Sequence, residues 1–136
     1  MTNGDWTALE SASRYGHLDV VRVLLQSGAL VNARNNDGWT LLQWASAYGH
    51  LDIVRELLDH GADAKAQKMI WTALHQALSG GFLEIAKLLV EHGAEMTPSD
   101  HQGWTSLHLA SQNGHFETVL LLLDHGADLN ALSKDL

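Results

Sequence analysis

Apolar residues recur at helical spacing in four segments of the chain, each ten residues long. The segments read LDVVRVLLQS, LDIVRELLDH, LEIAKLLVEH and FETVLLLLDH. Their apolar positions are three or four residues apart, which predicts one amphipathic helix in each segment. Every segment is followed by a Gly-Ala pair, and glycine suits the left-handed conformation that closes a helix.

A shorter helix, opened by threonine, is predicted ahead of each segment. Each threonine stands three residues before a capping position, and where that position holds Glu10 or Gln43 the pair is a capping box. The pairs are Thr7 with Glu10, Thr40 with Gln43, Thr72 with His75, and Thr105 with His108. We expect this helix to run for about eight residues and to stop at the glycine of YGH, GGF or NGH. Helices this short do not persist alone in water, so successive pairs must stack into a solenoid.

A tryptophan precedes each of these threonines, at intervals of 33, 32 and 33 residues. The four are Trp6, Trp39, Trp71 and Trp104. The interval between Trp39 and Trp71 is one residue shorter than the other two. The missing residue falls in the third copy's QKMIWT, at the place where the second copy has NDGWT. Gly38 fits a turn with positive φ, whereas the β-branched Ile70 in the third copy would be strained there. We therefore expect the third turn to follow a different path.

The repeated phrase resembles the ankyrin repeat. The matching motifs are T-x-L-[HQE]-x-A, G-H-x-x-V-V-x-x-L-L-x-x-G-A-D-x-N-A and a D-x-x-G loop tip, and they cover residues 3–136. The proline that this family places after threonine is absent, and the third copy has Gly81-Phe82 instead of Gly-His.

The resemblance implies an all-α fold with short β-hairpin loops, an ankyrin-repeat solenoid of four stacked helix–turn–helix repeats. We expect a single domain over residues 1–136, with repeats at approximately 2–34, 35–67, 68–99 and 100–132. Hairpin tips and first helices would line a concave surface, and second helices would form the convex back.

Charge and composition limit the classes of partner that the chain is expected to bind. Sixteen acidic and eight basic side chains give a formal charge of −8, and a chain with few Lys and Arg is a poor ligand for phosphate backbones. The longest strongly apolar run, residues 119–123, is far shorter than the ~20 residues of a membrane helix. There is no Cys, and MTNGDWT does not resemble a signal peptide. We expect an intracellular protein, cytoplasmic or nuclear, that binds neither nucleic acid nor membrane.

Nine histidines raise the question of a metal site or acid–base chemistry. Most fall at equivalent repeat positions, which stack roughly 10 Å apart because helices pack at that distance. Zinc ligands lie about 2 Å from the metal, so such a row cannot surround one ion. No catalytic motif appears either. The sequence therefore predicts a non-enzymatic chain without a metal or cofactor.

The resemblance implies a protein partner, bound through the concave face and the hairpin tips. The four tryptophans would form an aromatic stripe there, although each indole could instead stiffen the array by packing on the adjacent hairpin. Trp44 is assigned to the core or to packing between repeats. Met69 and Ile70 either form the apolar centre of a binding patch or belong to a drifted loop that folds back. The candidate protein-binding residues are Trp6, Arg14, Tyr15, Asn36, Asp37, Trp39, Tyr48, Lys68, Met69, Ile70, Trp71, His101, Gln102, Trp104, Gln112 and Asn113.

The two outermost copies suggest an alternative function. Copy one has Val20 and Val23 like an interior repeat, and Leu120 stands where other copies have arginine or lysine. Terminal repeats usually carry a polar outer face. The alternative is therefore a spacer or self-associating segment of a longer array, or an engineered or stand-alone scaffold, with a monomer expected and weak self-association through uncapped ends. Asn32 and Asn130 match a position that the resemblance links to asparagine hydroxylation, although a turn-stabilising role is favoured.

Overall fold

The computed structural model describes residues 7–68, 71–94 and 106–126, and for Gln67, Lys68, Trp71 and Ser106 it describes the backbone alone. Eight helices lie in these ranges, in four pairs, together with one two-stranded ladder. The helices are α1 (Ala8–Tyr15), α2 (Leu18–Gln26), α3 (Leu41–Ala47), α4 (Leu51–Asp59), α5 (Ala73–Gly80), α6 (Leu83–Glu91), α7 (Ser106–Gln112) and α8 (Phe116–Asp124). The strands are β1 (Gln67–Lys68) and β2 (Trp71–Thr72), and they pair antiparallel. The predicted all-α repeat solenoid is confirmed.

Capping boxes start the first helix of each of the first three pairs, as the threonine spacing predicts. Glu10 N–H donates to Thr7 Oγ1 at 3.1 Å, and Thr7 N–H donates back to Glu10 Oε1 at 3.4 Å. The third copy uses an imidazole for the same purpose, because His75 Nδ1 accepts from Thr72 N–H at 3.1 Å. Thr105 lies outside the described residues.

The four pairs stack in two layers. First helices pack on first helices in the order α1, α3, α5, α7, and second helices pack in the order α2, α4, α6, α8. Leucines such as Leu42, Leu57, Leu74 and Leu89 are buried between the layers. Each contributes about 1.5–3 kcal/mol relative to an exposed side chain. Each predicted repeat range contains one helix pair, while the boundaries inside the linkers stay a prediction.

The glycine after the first helix is needed for two reasons. Gly49 has φ +76, and a Cβ on it would lie 2.7 Å from the Phe82 ring of the next repeat. Gly16 has φ +81, and its Cβ would lie 2.8 Å from the His50 ring. His50 Nε2 also lies 2.9 Å from Arg14 O. The rings before α4, α6 and α8 therefore lie against the preceding repeat, and Phe82 takes the place that His50 and His115 have in the other repeats.

Side chains also fasten the ends of the second helices and the linkers. His60, His92 and His125 each place Nδ1 2.9–3.0 Å from the carbonyl oxygen four residues earlier, at the end of a second helix, where a side-chain donor can satisfy the last carbonyls. Asn32 bridges to the next linker, where its Nδ2 donates to Gly61 O at 3.1 Å and its Oδ1 accepts from Asp63 N–H at 2.8 Å. The amide thus joins two repeats in addition to any role in its own turn.

Candidate functional site

Four rings form a continuous stack on the second repeat. Trp39 and Trp44 have ring centroids 4.9 Å apart, with 26° between their planes. Trp44 and Tyr48 follow at 5.7 Å and 17°, and Tyr48 and His50 at 6.4 Å and 20°. We call these four residues the ring stack. Their spacings lie in the range that aromatic pairs prefer, so the rings support one another before any ligand arrives.

Local structure explains how the stack is assembled. Trp44 lies in α3 and Tyr48 caps it four residues later, so their side chains lie one above the other on the helix. Trp39 comes from the hairpin, where Asn35 Oδ1 accepts from the Trp39 N–H at 3.0 Å and from the Asp37 N–H at 2.9 Å. The hairpin thereby places the indole of Trp39 against the exposed side of α3.

Arg14 joins the first repeat to the stack. Its guanidinium carbon lies 5.2 Å from the centroid of a Trp44 ring and 5.5 Å from that of Tyr48. The same carbon lies 5.5 Å from the Tyr15 centroid. Cation–π contacts of this length contribute about 0.5–1 kcal/mol each at exposed sites. Arg14 therefore fixes the relative position of Tyr15 and the ring stack, which lie in different repeats.

Exposure is concentrated on the two tyrosines. Tyr15 is 65% exposed and Tyr48 is 44% exposed, whereas Trp39 and Trp44 are half-buried beneath them. Tyrosine and tryptophan offer a large apolar area together with a polar group, and they are enriched among residues that dominate binding energy. The arrangement can receive an apolar side chain on an exposed ring and a hydrogen-bonding group at a tyrosine hydroxyl.

Several predicted site residues meet here, and others lie elsewhere. Arg14 contacts Tyr15 and Tyr48, and Trp39 is connected to Tyr48 through Trp44. The hairpin that carries Trp39 exposes Asn36 and Asp37. Gln112 and Asn113 are exposed at the end of α7, two helix pairs away from α3. The candidates that lie outside the described residues are Trp6, Met69, Ile70, His101, Gln102 and Trp104, and the side chains of Lys68 and Trp71 are also outside. The predicted four-tryptophan stripe therefore stays a prediction.

Sequence reasoning missed two members of the stack. The sequence predicts Trp44 in the core or in the packing between repeats. It is half-buried, and two of its partners, Trp39 and Tyr48, belong to its own repeat. Its contact with Arg14 crosses to the first repeat, in agreement with the second alternative. His50 was treated as a repeat position alone. The available signal was the four-residue spacing of Trp44 and Tyr48, which places two aromatic side chains on one helix face.

The third hairpin differs from the second in the length of its loop. In the second copy a bridge joins Arg34 to Thr40, and Gly38 has φ +85 in the turn above it. In the third copy Gln67 pairs with Thr72 and Lys68 with Trp71, which leaves a two-residue connection. One residue fewer therefore separates equivalent positions, and the deletion lies in the hairpin tip outside both helices.

Metal ligation and membrane insertion find no support among the residues that the structure describes. No group of three His, Asp or Glu side chains within those ranges could hold a metal ion. None of the helices placed by the structure has the length and hydrophobicity required to span a bilayer. The buried polar side chains of Glu10, Gln43 and His75 are engaged in helix capping.

Comparison with known proteins agrees with the repeat architecture. Curated proteins returned no match. A family model described as ankyrin repeats (3 copies) matches residues 1–68 and again residues 64–133. These two matches include all four helix pairs, and the chain therefore belongs to the ankyrin-repeat family.

Proposed function

We propose that this chain is a non-enzymatic interaction module that binds a protein partner through the ring stack, Tyr15 and Arg14. Ankyrin repeats are generally protein-interaction modules, which supports the general class of function. The observation that carries the choice of surface is the preformed stack of Trp39, Trp44, Tyr48 and His50, with exposed tyrosine at its edge. The neighbouring hairpin tips, including Asn36 and Asp37, would extend the same surface.

Preorganisation is the physical reason for favouring this surface. A flexible side chain loses about 0.5–1.5 kcal/mol of conformational freedom when a partner immobilises it. Trp44 is already held between two rings and under a guanidinium, so a partner that docks there pays less of this cost. The exposed ring of Tyr48 then offers apolar area that is rigid before binding.

The charge of the chain indicates the chemistry of the partner. A formal charge of −8 favours encounter with a basic partner and disfavours nucleic acid and anionic membranes. The aromatic rings of the ring stack favour apolar side chains on the part of the partner that contacts them. We therefore propose a protein segment that presents apolar side chains flanked by Lys or Arg, met inside the cell, in the cytoplasm or the nucleus.

Binding measurements on surface variants test the proposal. After affinity capture identifies a partner, the dissociation constant is measured for the unchanged chain and for the double variant Tyr15→Ala/Tyr48→Ala. Truncated hot-spot residues cost more than 1 kcal/mol each, so we expect affinity to fall by at least about tenfold. Both tyrosines are exposed, so the fold should survive, and circular dichroism checks that it does.

Phe116→Ala is the matched control. Phe116 is also an exposed aromatic side chain, at 72%, but it lies at the start of α8 in the last helix pair. We expect its removal to leave the affinity unchanged. Equal losses in both variants, or no loss in the double tyrosine variant, would reject the ring stack as the binding surface.

A further inference from the structure

Three aromatic rings from two repeats lie around the side chain of Arg14. Its guanidinium carbon lies 5.2 Å from the centroid of a Trp44 ring and 5.5 Å from each of the Tyr15 and Tyr48 centroids. A cation within about 6 Å of a ring centroid is attracted by the face of that ring. One position at the junction of α1 and α3 therefore meets the condition for cation binding at three rings together.

The two rings of the second repeat are placed by contacts other than those with Arg14. Trp44 and Tyr48 stack on each other at 5.7 Å, while Trp39 stacks on Trp44 and His50 stacks on Tyr48. Aromatic pairs at these distances attract one another without a cation. Two of the three rings should therefore keep their positions when the guanidinium is removed.

The third ring is placed by the backbone at the end of α1. Tyr15 is the last residue of this helix, and Gly16 closes it in the left-handed conformation. His50 Nε2 lies 2.9 Å from Arg14 O, and the His50 ring lies against Gly16. These contacts involve the backbone of Arg14 and not its side chain, so they should hold Tyr15 beside the second repeat in an Arg14 variant as well.

Arg14 has an advantage over any cation that comes from solution or from a partner. It is covalently attached beside the rings, so it does not lose the translational and rotational freedom that association costs. Its guanidinium is also planar and weakly hydrated, which suits it to lie on aromatic faces. A second cation at the same rings must either displace Arg14 or lie next to its positive charge, which repels it.

We infer that Tyr15, Trp44 and Tyr48 form a cation-binding site that Arg14 fills from within the chain, and that Arg14 thereby keeps the cationic side chains of a partner off the ring stack. This inference rests on the proposed function in that it concerns the same surface. It adds the residue that determines specificity. With the guanidinium in place, the exposed part of Tyr48 accepts apolar side chains, and a Lys or Arg of the partner contacts residues outside the three rings.

A titration with tetramethylammonium chloride tests the site without any partner. Quaternary ammonium ions are the cations that clusters of aromatic rings recognise in proteins. The indole N–H resonance of Trp44 is followed by NMR in the unchanged chain and in Arg14→Ala, with sodium chloride at equal ionic strength as the reference. We expect Arg14→Ala to bind the ion saturably, with a dissociation constant at least about tenfold lower than that of the unchanged chain.

Two further variants show whether the ion binds at the rings. Arg14→Ala/Tyr48→Ala lacks one of the rings, and we expect it to lose the binding that Arg14→Ala gains. Arg55→Ala is the matched control for charge, because Arg55 is exposed on α4 and its ion pair with Asp52 at 3.5 Å involves none of the rings. We expect Arg55→Ala to bind the ion no better than the unchanged chain. If Arg14→Ala does not fold, Arg14→Gln replaces it, since glutamine keeps most of the length of the side chain without the charge.

Four outcomes would overturn the inference. Equal binding by the unchanged chain and by Arg14→Ala would show that Arg14 does not fill the site, and no binding by either would show that the rings form no cation site. Equal gains in Arg14→Ala and Arg55→Ala would show an effect of net charge alone. Undiminished binding by Arg14→Ala/Tyr48→Ala would place the ion elsewhere. The proposed function is tested separately, by the partner affinity of Tyr15→Ala/Tyr48→Ala, so the failure of one is distinguishable from the failure of the other.

Discussion

The second and third repeats share an opening Trp-Thr and a helix pair, and among the side chains that the structure describes the ring stack is built on the second repeat. Trp44 and Tyr48 of the second repeat correspond to Gln76 and Gly80 of the third. The second hairpin has a glycine turn, while the third has a two-residue connection between paired strands. The difference teaches that the repeated tryptophan is not sufficient for this surface, which requires the varying positions of the first helix.

The largest expected loss of stability comes from a substitution at the junction of the second and third repeats, where Gly49 lies against the ring of Phe82. Gly49→Ala would force an L residue to φ +76 and place its Cβ 2.7 Å from the Phe82 ring. The left-handed backbone costs about 1–2 kcal/mol and overpacking about 1–3 kcal/mol, so we expect a loss of about 2–5 kcal/mol in urea unfolding. Gly114→Ala is the control, because Gly114 has φ +71 but nothing within 4 Å of its Cβ. Equal losses would show that the Phe82 contact is unimportant.

Removing the central ring of the stack should have the next largest effect and should distinguish the two repeats directly. Trp44→Leu removes two ring pairs of about 0.5–1.5 kcal/mol each and one cation–π contact of about 0.5–1 kcal/mol, so we expect a loss of about 1.5–4 kcal/mol. Gln76→Leu changes the equivalent half-buried position in the third repeat and should stay within about 0.5 kcal/mol. Denaturant unfolding gives both values, and near-ultraviolet circular dichroism should change only for Trp44→Leu. Similar losses at both positions would contradict the stack's contribution.

The capping residue differs between the two repeats, although Gln43 and His75 both accept from the N–H of the capping threonine. His75→Gln keeps an acceptor of the kind found in the second repeat, whereas His75→Ala leaves the buried Thr72 N–H without this acceptor. We therefore expect His75→Ala to lose about 1 kcal/mol more than His75→Gln in urea unfolding. Equal losses in the two variants would contradict the capping role of His75.

The smallest expected change in stability concerns the third hairpin. The same variant distinguishes a structural role of its tip from a role in binding the partner. Two-residue hairpin loops favour Asn-Gly because both residues take positive φ. If the connection between β1 and β2 is a turn of this kind, Met69→Asn/Ile70→Gly should leave the fold intact and stabilise it by up to about 1 kcal/mol in urea unfolding, since the left-handed backbone costs other L residues about this much. If Met69 and Ile70 also contact the partner, the same variant should bind more weakly despite its greater stability.

The serine variant Met69→Ser/Ile70→Ser tests the same tip without the turn preference, and Trp39→Ala and Trp104→Ala test the tryptophan row. Full partner affinity in all of these variants, once they are shown to be folded, would exclude both the tip and the row. Loss of affinity in Trp39→Ala alone would restrict the site to the ring stack.

Much of the fold could be predicted because the features that define each repeat are local in the sequence. Two such features of the second repeat are the capping pair of Thr40 and Gln43 and the glycines at φ +76 and φ +90 that follow its helices. Both can be predicted from residues that are close together in the sequence. The position of the deletion followed from counting alone. The ring stack was only partly predicted: the four-residue spacing of Trp44 and Tyr48 is a local signal for two rings on one helix face, whereas the contact of Arg14 with Trp44 joins different repeats and follows from no local pattern.

The sequence by itself determined the four helix pairs, their caps and the order in which they stack, since apolar periodicity and glycine placement leave short helices one way to bury their leucines. Only the tertiary structure decided which side chains share a surface. Trp44 lies in the ring stack instead of the core because the hairpin brings Trp39 against one side of it and Arg14 covers it from the preceding repeat. The exposure of Val20 and Leu123 was likewise decided by stacking, because identical repeat positions are buried or exposed according to whether a neighbouring helix covers them.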